Sequence, residues 1–239
     1  MTPAEVERHV GAIGGWLTPK EGRLLYDLAR RCSGRGVIVE IGSWKGKSTI
    51  WLASGSRHGA GVPVYAIDPH TAESDNLGTQ SSVPTFPEFV ANIRDAGIAN
   101  LVHPLVTTSA AAAREFTRPV ELIFIDGAHD YDSVALDLDL WFPRVVDGGM
   151  IAFHDTVAWE GPRRLVAERV FRGTWARHAR FVDSTTAAQK VPHNSFADRV
   201  RNRWVLALKH VGDAGARLQV PPPVRHAGRR VLERLGGRA

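Results

Sequence analysis

The chain has 239 residues, of which 44% are hydrophobic, and a formal net charge of +5. This content supports one substantial core, and no linker rich in Pro, Gly or Ser divides the chain before residue 210. No apolar run is long enough to span a bilayer, and the N-terminus lacks the pattern of a signal peptide, so we expect a cytoplasmic protein without a membrane span. Cys32 is the only cysteine, which excludes an intrachain disulfide and a cysteine-based zinc site.

Most of the positive charge lies at the C-terminal end. Residues 211–239 contain six arginines against Asp213 and Glu233, which accounts for +4 of the net +5. We therefore predict a folded domain over residues 1–210 and a basic, Arg/Pro-rich tail over residues 211–239, either a short amphipathic helix or a poorly ordered terminus. Because the body is nearly neutral, no nucleic acid is expected as a partner, and a basic nucleic-acid-binding protein remains an alternative class.

The predicted elements begin with a helix whose start is Thr18-Pro19-Lys20-Glu21, which supplies an N-cap, a first-turn proline and a capping-box glutamate. Short runs of β-branched and apolar residues then predict strands at Val37–Ile41, Val64–Asp68, Leu101–Thr107, Val120–Asp126, Gly149–His154, Ala179–Val182 and Trp204–Lys209. Amphipathic segments alternate with these strands. We therefore predict an α/β fold, a Rossmann-like, doubly wound and mostly parallel seven-stranded sheet with added N-terminal helices.

The first strand ends in the pattern Glu40-x-Gly42-x-x-x-Gly46. Both glycines let the backbone turn sharply and approach a ligand, and Ser48 with the free amides of the following helix can take an anionic group. A P-loop needs four residues between its first glycine and its Gly-Lys-Ser, but only three separate Gly42 from Gly46. A dinucleotide fingerprint needs glycine where Trp44 stands. A nucleotide switch is thus a weaker alternative.

The second strand ends in Asp68, about 26 residues after the glycine turn, where an acidic residue takes ribose hydroxyls. The alternative for Asp68 is a solvent-exposed loop carboxylate. The long polar segment Pro69–Pro87 follows directly. Long loops over a site are often lids or binding loops. This segment is therefore expected to contact an acceptor.

The fourth and fifth strands end in carboxylates that can meet. If these strands are neighbours, Asp126 and Asp155 leave adjacent strand ends, roughly 5 Å apart at the backbone. Carboxylate oxygens with room for water and substrate suit Mg²⁺, and His154 can complete the site or favour Mn²⁺. The sequence therefore predicts a divalent metal site formed by Asp126, His154 and Asp155.

Three segments together resemble a known family over residues 36–156. Glu40-x-Gly42-x-x-x-Gly46 resembles the first motif of class I S-adenosylmethionine-dependent methyltransferases. Ile125-Asp-Gly-Ala-His-Asp-Tyr131 and Gly148-Gly-Met-Ile-Ala-Phe-His-Asp155 resemble the metal-dependent O-methyltransferases related to catechol, caffeoyl-CoA and macrolide-sugar methyltransferases. In that group an acidic residue stands where this chain has His154. This departure leaves open a metal-free variant that uses a histidine base.

The resemblance implies a set of site residues. S-adenosylmethionine would be bound by Glu40, Gly42, Gly46, Ser48, Asp68, Thr108, Ser109 and Asp126. His129 lies three residues beyond Asp126, where catechol-type relatives place a lysine base, so His129 and Asp126 are the predicted catalytic residues; the alternative for His129 is a capping or packing histidine.

The acceptor is predicted less directly. Polar residues after the second strand, and Trp159 close behind the metal pair, favour a hydroxyl-rich small molecule or oligosaccharide over a flat phenol, which remains the alternative. Chain size, the His-Asp pair and the arginine-rich composition also resemble the methylmannose-polysaccharide 1-O-methyltransferases. The N-terminal helices are expected to offer a homodimer contact.

Overall fold

The computed structural model describes residues 1–71, 84–217 and 222–237. The helices in these ranges are α1 Pro3–Val10, α2 Pro19–Arg30, α3 Lys47–Arg57, α4 Phe86–Asp95, α5 Ser109–Glu115, α6 Tyr131–Trp141, α7 Glu160–Leu165, α8 Phe196–Arg217 and α9 Pro222–Gly237. The strands are β1 Val37–Ile41, β2 Val64–Ile67, β3 Val102–Leu105, β4 Val120–Ile125, β5 Val145–Phe153, β6 Ala176–Val182 and β7 Thr185–Lys190. A 3₁₀ turn follows α6 at Phe142–Arg144, and α7 continues as a π-helical turn over Val166–Phe171.

The seven strands form one sheet in the order β3-β2-β1-β4-β5-β7-β6. Strands β1 to β5 are parallel, and β7 runs antiparallel to both β5 and β6. The order reverses between β1 and β4, which is where open α/β sheets bind ligands. The predicted doubly wound, mostly parallel seven-stranded sheet is confirmed.

Helices cover both faces of the sheet. Helices α1 to α4 enclose one core layer, which contains Leu25, Trp51 and Phe89. Helices α5 to α9 enclose the other, which contains Trp141 and Phe153. Because both faces are covered, the central strands are almost continuously apolar, as β4 is with Val120, Leu122, Ile123, Phe124 and Ile125 all buried.

The start of α2 agrees with its sequence pattern. The Thr18 side chain accepts a hydrogen bond from the Glu21 amide, and the Glu21 side chain accepts one from the Thr18 amide, 2.9 Å away. Each bond satisfies a backbone donor that the first helical turn leaves unpaired. The predicted capping box is therefore confirmed.

The predicted last strand is wrong. Residues Trp204–Lys209 lie within α8, where the spacing of buried Val205, Leu208 and Lys209 matches a helix face. The seventh strand is instead Thr185–Lys190, which pairs through its backbone with β5 and β6 and carries small side chains such as Ala187. Short apolar runs do not distinguish strand from helix, because the packing partner decides between them.

The C-terminal residues are helical where they are described. The predicted boundary after residue 210 lies inside α8, and α9 packs against α8 and β6. Leu232 of α9 contacts the second core layer. In the described ranges, no helix combines the length and apolar character needed to cross a membrane.

Candidate active site

A cavity of about 570 Å³ lies at the carboxyl ends of β1, β2, β4 and β5. Eight of the predicted site residues line it: Gly42, Asp68, Thr108, Ser109, Asp126, His129, His154 and Asp155. Trp16 and Trp44 also line it, and their rings stack with centroids 5.5 Å apart. The structure therefore brings most of the predicted residues together at one edge of the sheet.

Three predicted cofactor residues lie away from this cavity. Glu40 is fully buried on the α3 side of the sheet, where the Thr49 hydroxyl donates a hydrogen bond to it. Ser48 is buried there too and also hydrogen-bonds Glu40. Gly46 caps α3 in a left-handed conformation with φ 86°, and a Cβ there would lie 3.1 Å from the Phe89 ring. In the described structure these residues therefore support the turn from the α3 side of the sheet and do not line the cavity.

Burial gives Glu40 an unusual charge state. Loss of solvation raises the pKa of Glu40 to about 8, although hydrogen bonds from Ser48 and Thr49 act in the opposite direction. Between pH 4.5 and about 8, Glu40 of the folded chain therefore keeps a proton that the unfolded chain, in which this group has its ordinary pKa of 4.5, has released. Because the folded pKa is raised, the stability from this group is present at low pH and is lost as pH rises towards 8.

We expect Glu40→Gln to become more stable relative to wild type as pH rises from 5 to 8, since glutamine stays neutral. The shift of the Glu40 pKa corresponds to a few kcal/mol, on the order of 1.4 kcal/mol per pKa unit. Thermal unfolding of both proteins across this pH range measures the difference. Glu115→Gln, at an exposed position, is the control. If the stability difference from wild type were independent of pH for both variants, the buried proton on Glu40 would be contradicted.

The turn after β1 requires Gly42. Its φ is 84°, and a Cβ there would lie 2.1 Å from the Asp126 carbonyl oxygen. The ends of β1 and β4 approach this closely because the Asp126 amide donates to the Ile41 carbonyl oxygen over 2.9 Å. Gly42 thus sets the separation between the two strand ends and, through it, the position of Asp126.

Asp68 fixes the backbone at the rim of the cavity through hydrogen bonds to two amides. Its carboxylate accepts hydrogen bonds from the Trp44 amide at 2.8 Å and the His70 amide at 2.6 Å. The His70 ring in turn lies 2.9 Å from the Thr85 hydroxyl, which joins the two ends of the predicted acceptor loop. Residues 72–83 of that loop lie outside the described residues.

Thr108 and Ser109 begin α5 beside the cavity. The Thr108 hydroxyl accepts a hydrogen bond from the Ala111 amide at 3.2 Å, so it caps the helix. The Ser109 hydroxyl accepts one from the Trp141 indole nitrogen at 2.9 Å and also hydrogen-bonds Asp137. Burial raises the pKa of Asp137. This carboxylate was missed in the sequence, although an aspartate on the apolar face of a predicted helix is a detectable signal.

Asp126, His154 and Asp155 form a compact cluster, and one ligand atom from each lies within 4.8 Å of the others. The adjacent parallel strands β4 and β5 bring them together, since Ile125 lies opposite Phe153. His154 Nδ1 is 3.0 Å from Asp126 Oδ1 and 3.4 Å from Asp155 Oδ2. The juxtaposition of the two strand ends is confirmed. Asp155 has a φ of 55°, a left-handed conformation that aspartate tolerates better than most residues.

The charges of this cluster are strongly coupled. Burial opposes the charge on His154, but Asp126, Asp155 and Glu21 outweigh it and raise the His154 pKa well above its usual value. Burial likewise opposes ionisation of Asp155, yet hydrogen bonds from His129 and His154 hold its pKa below the usual range. Burial raises the pKa of Asp126. The surrounding carboxylates therefore stabilise the protonated, cationic form of His154 at the centre of the cluster.

Glu21 is a second residue that sequence reasoning did not place at the site. It is almost fully buried, and its Oε1 lies 3.5 Å from His154 Nε2. The same oxygen accepts hydrogen bonds from the Ser184 amide at 2.7 Å and the Thr185 hydroxyl at 3.2 Å. The sequence identifies Glu21 only as a capping residue, because its contacts at the site come from positions more than 130 residues away.

His129 lies between the cluster and an aromatic ring. Its Nε2 is 3.0 Å from Asp155 Oδ2, and its ring stacks on Trp159 with centroids 4.4 Å apart. A carboxylate bonded to one imidazole nitrogen sets the tautomer and stabilises the protonated ring. The geometry suits a residue that gains and loses a proton beside the cavity.

Comparison with known proteins agrees with this geometry. Residues 39–156 match a family model described as a methyltransferase domain. Within these residues the chain is similar to methyltransferase domains. The match begins within β1, continues through the turn at Gly42 and ends just after the pair His154-Asp155. The segment thus covers the strands that build the cavity.

Solved structures similar to this chain share its fold. The O-methyltransferase TomG from Streptomyces achromogenes, in complex with S-adenosylmethionine, is 18% identical with a TM-score of 0.54, over 79% of this chain and 87% of that one. An O-methyltransferase from Bacillus cereus, in complex with S-adenosylhomocysteine, is 19% identical with a TM-score of 0.51, over 79% and 89%. A putative O-methyltransferase from Klebsiella pneumoniae is 19% identical with a TM-score of 0.55, over 79% and 88%. The chain therefore has the fold of these three structures.

Proposed function

We propose that this protein transfers the methyl group of S-adenosylmethionine to a hydroxyl oxygen of an acceptor. One observation supports this above the others: a cavity at the topological reversal of a methyltransferase fold ends at a histidine paired with a carboxylate, His129 and Asp155. In the reaction the bond between sulfur and methyl carbon breaks as the bond between that carbon and the acceptor oxygen forms. The acceptor proton passes to His129, and S-adenosylhomocysteine leaves.

The cofactor is proposed to lie along the rim formed by Gly42, Asp68 and Ser109. The absence of a Cβ at Gly42 allows close approach of the ligand to the backbone. Asp68 already accepts two backbone hydrogen bonds, and each carboxylate oxygen has a second lone pair for a ribose hydroxyl. Catalysis then depends mainly on aligning the methyl group with the acceptor oxygen.

A divalent cation, Mg²⁺ or Mn²⁺, is proposed at Asp126, His154 and Asp155. The donors fit such an ion, since two carboxylates and an imidazole lie within 4.8 Å of one another. Glu21 lies 3.5 Å from His154 Nε2, the arrangement in which a further carboxylate orients a metal-binding imidazole. When bound, the ion would make an acceptor hydroxyl easier to deprotonate.

A metal-free enzyme is the second candidate, favoured by the hydrogen bonds within the cluster. His154 Nδ1 already lies 3.0 Å from Asp126 Oδ1, and a protonated imidazole balances part of the charge of the carboxylates. In this version the Asp155 carboxylate alone supports His129 as it takes the acceptor proton.

A hydroxyl-rich acceptor such as a sugar, or an oligosaccharide of the methylmannose type, is proposed ahead of a phenol. Trp16 is 60% exposed and stacks on Trp44 at the cavity. Exposed indole faces present apolar surface next to a polar edge, which suits the mixed surface of a sugar ring. Asp130 at the same cavity adds a carboxylate for hydroxyl groups.

Calorimetric titration with S-adenosylhomocysteine tests the proposed activity. We expect micromolar binding to wild type and at least tenfold weaker binding to Asp68→Ala, because the ribose hydroxyls lose their acceptor. Asp95→Ala removes an exposed carboxylate at the end of α4 and should bind as wild type does. Absence of heat with wild-type protein that unfolds cooperatively would overturn the proposal.

A further inference from the structure

A second cavity of about 530 Å³ lies far from the methyltransferase site, towards the amino ends of the parallel strands. It lies between the end of α2, the segment that follows it, and the sheet face formed by β5, β7 and β6. Its lining contains Leu28, Arg31, Cys32, Ser33, Arg35, Glu121, Gly148, Met150, His178, Arg180, Gln189 and Arg201. None of these residues lines the candidate active site.

The charge of this cavity is strongly positive. Four guanidinium groups, those of Arg31, Arg35, Arg180 and Arg201, line it against the single carboxylate of Glu121. Glu121 is already engaged by the amides of residues 33–35, at 2.8 to 3.1 Å, and lies 3.7 Å from the Arg35 side chain. Three guanidinium groups are left without a carboxylate in the lining.

Arg180 is the most exceptional of these side chains. Its Nε is buried and has no hydrogen-bond partner within the described part of the chain. No carboxylate of the described residues forms an ion pair with Arg31, Arg180 or Arg201. Burial, together with repulsion from Arg31, lowers the pKa of Arg180. A buried, unpaired polar group of this kind is costly, and the cost falls when an anion binds.

The nearby carboxylates are committed elsewhere. Asp27 influences Arg180 from a distance, but its carboxylate lies 3.9 Å from Arg30. Asp198 influences Arg201 in the same way, but it accepts hydrogen bonds from the amide and hydroxyl of Ser195 at the start of α8. Among its described residues, the protein therefore supplies no paired carboxylate for Arg31, Arg180 or Arg201.

The backbone of β6 is irregular at this point. The pairing of β6 with β7 shifts register between Arg177 and Arg180, and His178 has a φ of 53°. Such bulges re-aim side chains and often lie next to functional sites. The neighbouring Arg177 is held by Gln189, whose Oε1 accepts from its guanidinium at 2.8 and 3.2 Å. Arg180 lies two residues before Val182, which packs on the α2 side of the sheet. The Arg180 side chain therefore lies on that side too, where it lines the cavity.

We propose that this cavity is a binding site for a phosphate-bearing anion, held by Arg31 and Arg180. Arg201, whose guanidinium donates to the Ala179 and Gly236 carbonyl oxygens at 2.9 and 2.8 Å, adds positive charge beside them. Guanidinium groups bind phosphate oxygens through paired hydrogen bonds, and they remain charged at every physiological pH. The volume exceeds that of a phosphate ion, so a phosphate monoester of a small molecule fits better than free phosphate. The site is independent of the proposed methyl transfer, since it shares no residue with that cavity.

Calorimetry with inorganic phosphate and with glucose 1-phosphate tests this site. We expect one saturable site per chain on wild type, tighter for the monoester, and at least tenfold weaker on Arg180→Met. Arg31→Met removes an exposed side chain of the same cavity, so it tests the site even if Arg180→Met fails to fold. Arg94→Met, at an exposed position on α4, is the control for loss of one positive charge.

Two outcomes would overturn the proposal: no binding of either probe at millimolar concentration, or equal weakening by Arg94→Met and the two cavity variants. Vesicles containing phosphatidic acid identify the source of the phosphate. Sedimentation that Arg180→Met reduces would assign the site to a lipid headgroup, whereas binding of glucose 1-phosphate without sedimentation assigns it to a soluble metabolite.

Discussion

Asp155→Asn should lower kcat/KM at least a hundredfold while leaving the affinity for S-adenosylhomocysteine within about twofold of wild type. The Asp155 carboxylate lies 3.0 Å from His129 Nε2 and 3.4 Å from His154 Nδ1. Asparagine has the same size and tolerates the φ of 55° at this position, so the main loss is the charge. General-base catalysis contributes about 10²–10⁴ in rate, and the variant removes the group that supports it.

The measurement is methyl transfer to the best acceptor from a panel of glycosides and catechols, with cofactor binding followed separately by calorimetry. Asp139→Asn is the matched control, because Asp139 is exposed on α6 and pairs with Arg169 away from the cavity. If Asp155→Asn retained activity near that of wild type, neither His129 nor the cluster would have the proposed role in the reaction.

Chelation separates the two versions of the site within the same experiment. With a bound cation, wild-type activity should fall on treatment with EDTA and return when Mg²⁺ or Mn²⁺ is added, and Asp155→Asn should need more metal for the same effect. In a metal-free enzyme, EDTA should leave wild-type activity unchanged while Asp155→Asn remains impaired. Either result identifies which group balances the charge of Asp126 and Asp155.

Gly42→Ala should abolish cofactor binding and destabilise the protein by about 2–5 kcal/mol, since a crowded site costs about 1–3 kcal/mol and left-handed backbone about 1–2 kcal/mol more. The added Cβ would lie 2.1 Å from the Asp126 carbonyl oxygen. The ends of β1 and β4 must separate to accommodate it. That movement displaces Asp126 and the turn against which the cofactor is proposed to bind.

Gly97→Ala is the control for the backbone conformation alone. Gly97 has a φ of 65°, and a Cβ there would meet no atom within 4 Å. This variant should lose only about 1–2 kcal/mol, the cost of a left-handed non-glycine residue. Urea unfolding of the three proteins gives the free energies. Equal losses in the two variants would mean that the close approach to Asp126 has no consequence.

Much of the fold follows from short-range patterns. The capping box at Thr18 and the apolar runs at 37–41 and 120–125 are local features, and the structure has a helix and two strands there. The prediction of a strand at 204–209 was wrong, although it rested on the same kind of short local pattern as the correct predictions. Five apolar residues followed by a lysine fit either a strand or a helix, and contact of α8 with β6 selects the helix.

The sequence by itself determined that three carboxylates reach the cavity, although it did not identify Asp137. Asp68, Asp126 and Asp155 follow parallel strands, and parallel strands end at one edge of the sheet, so their order along the chain was sufficient. Only the tertiary structure decided that Glu40 faces α3, that Glu21 contacts His154, and that an arginine just after α2 shares one cavity with arginines of β6 and α8. The physical reason is that these contacts depend on which sheet face each helix covers, and packing between distant segments makes that choice.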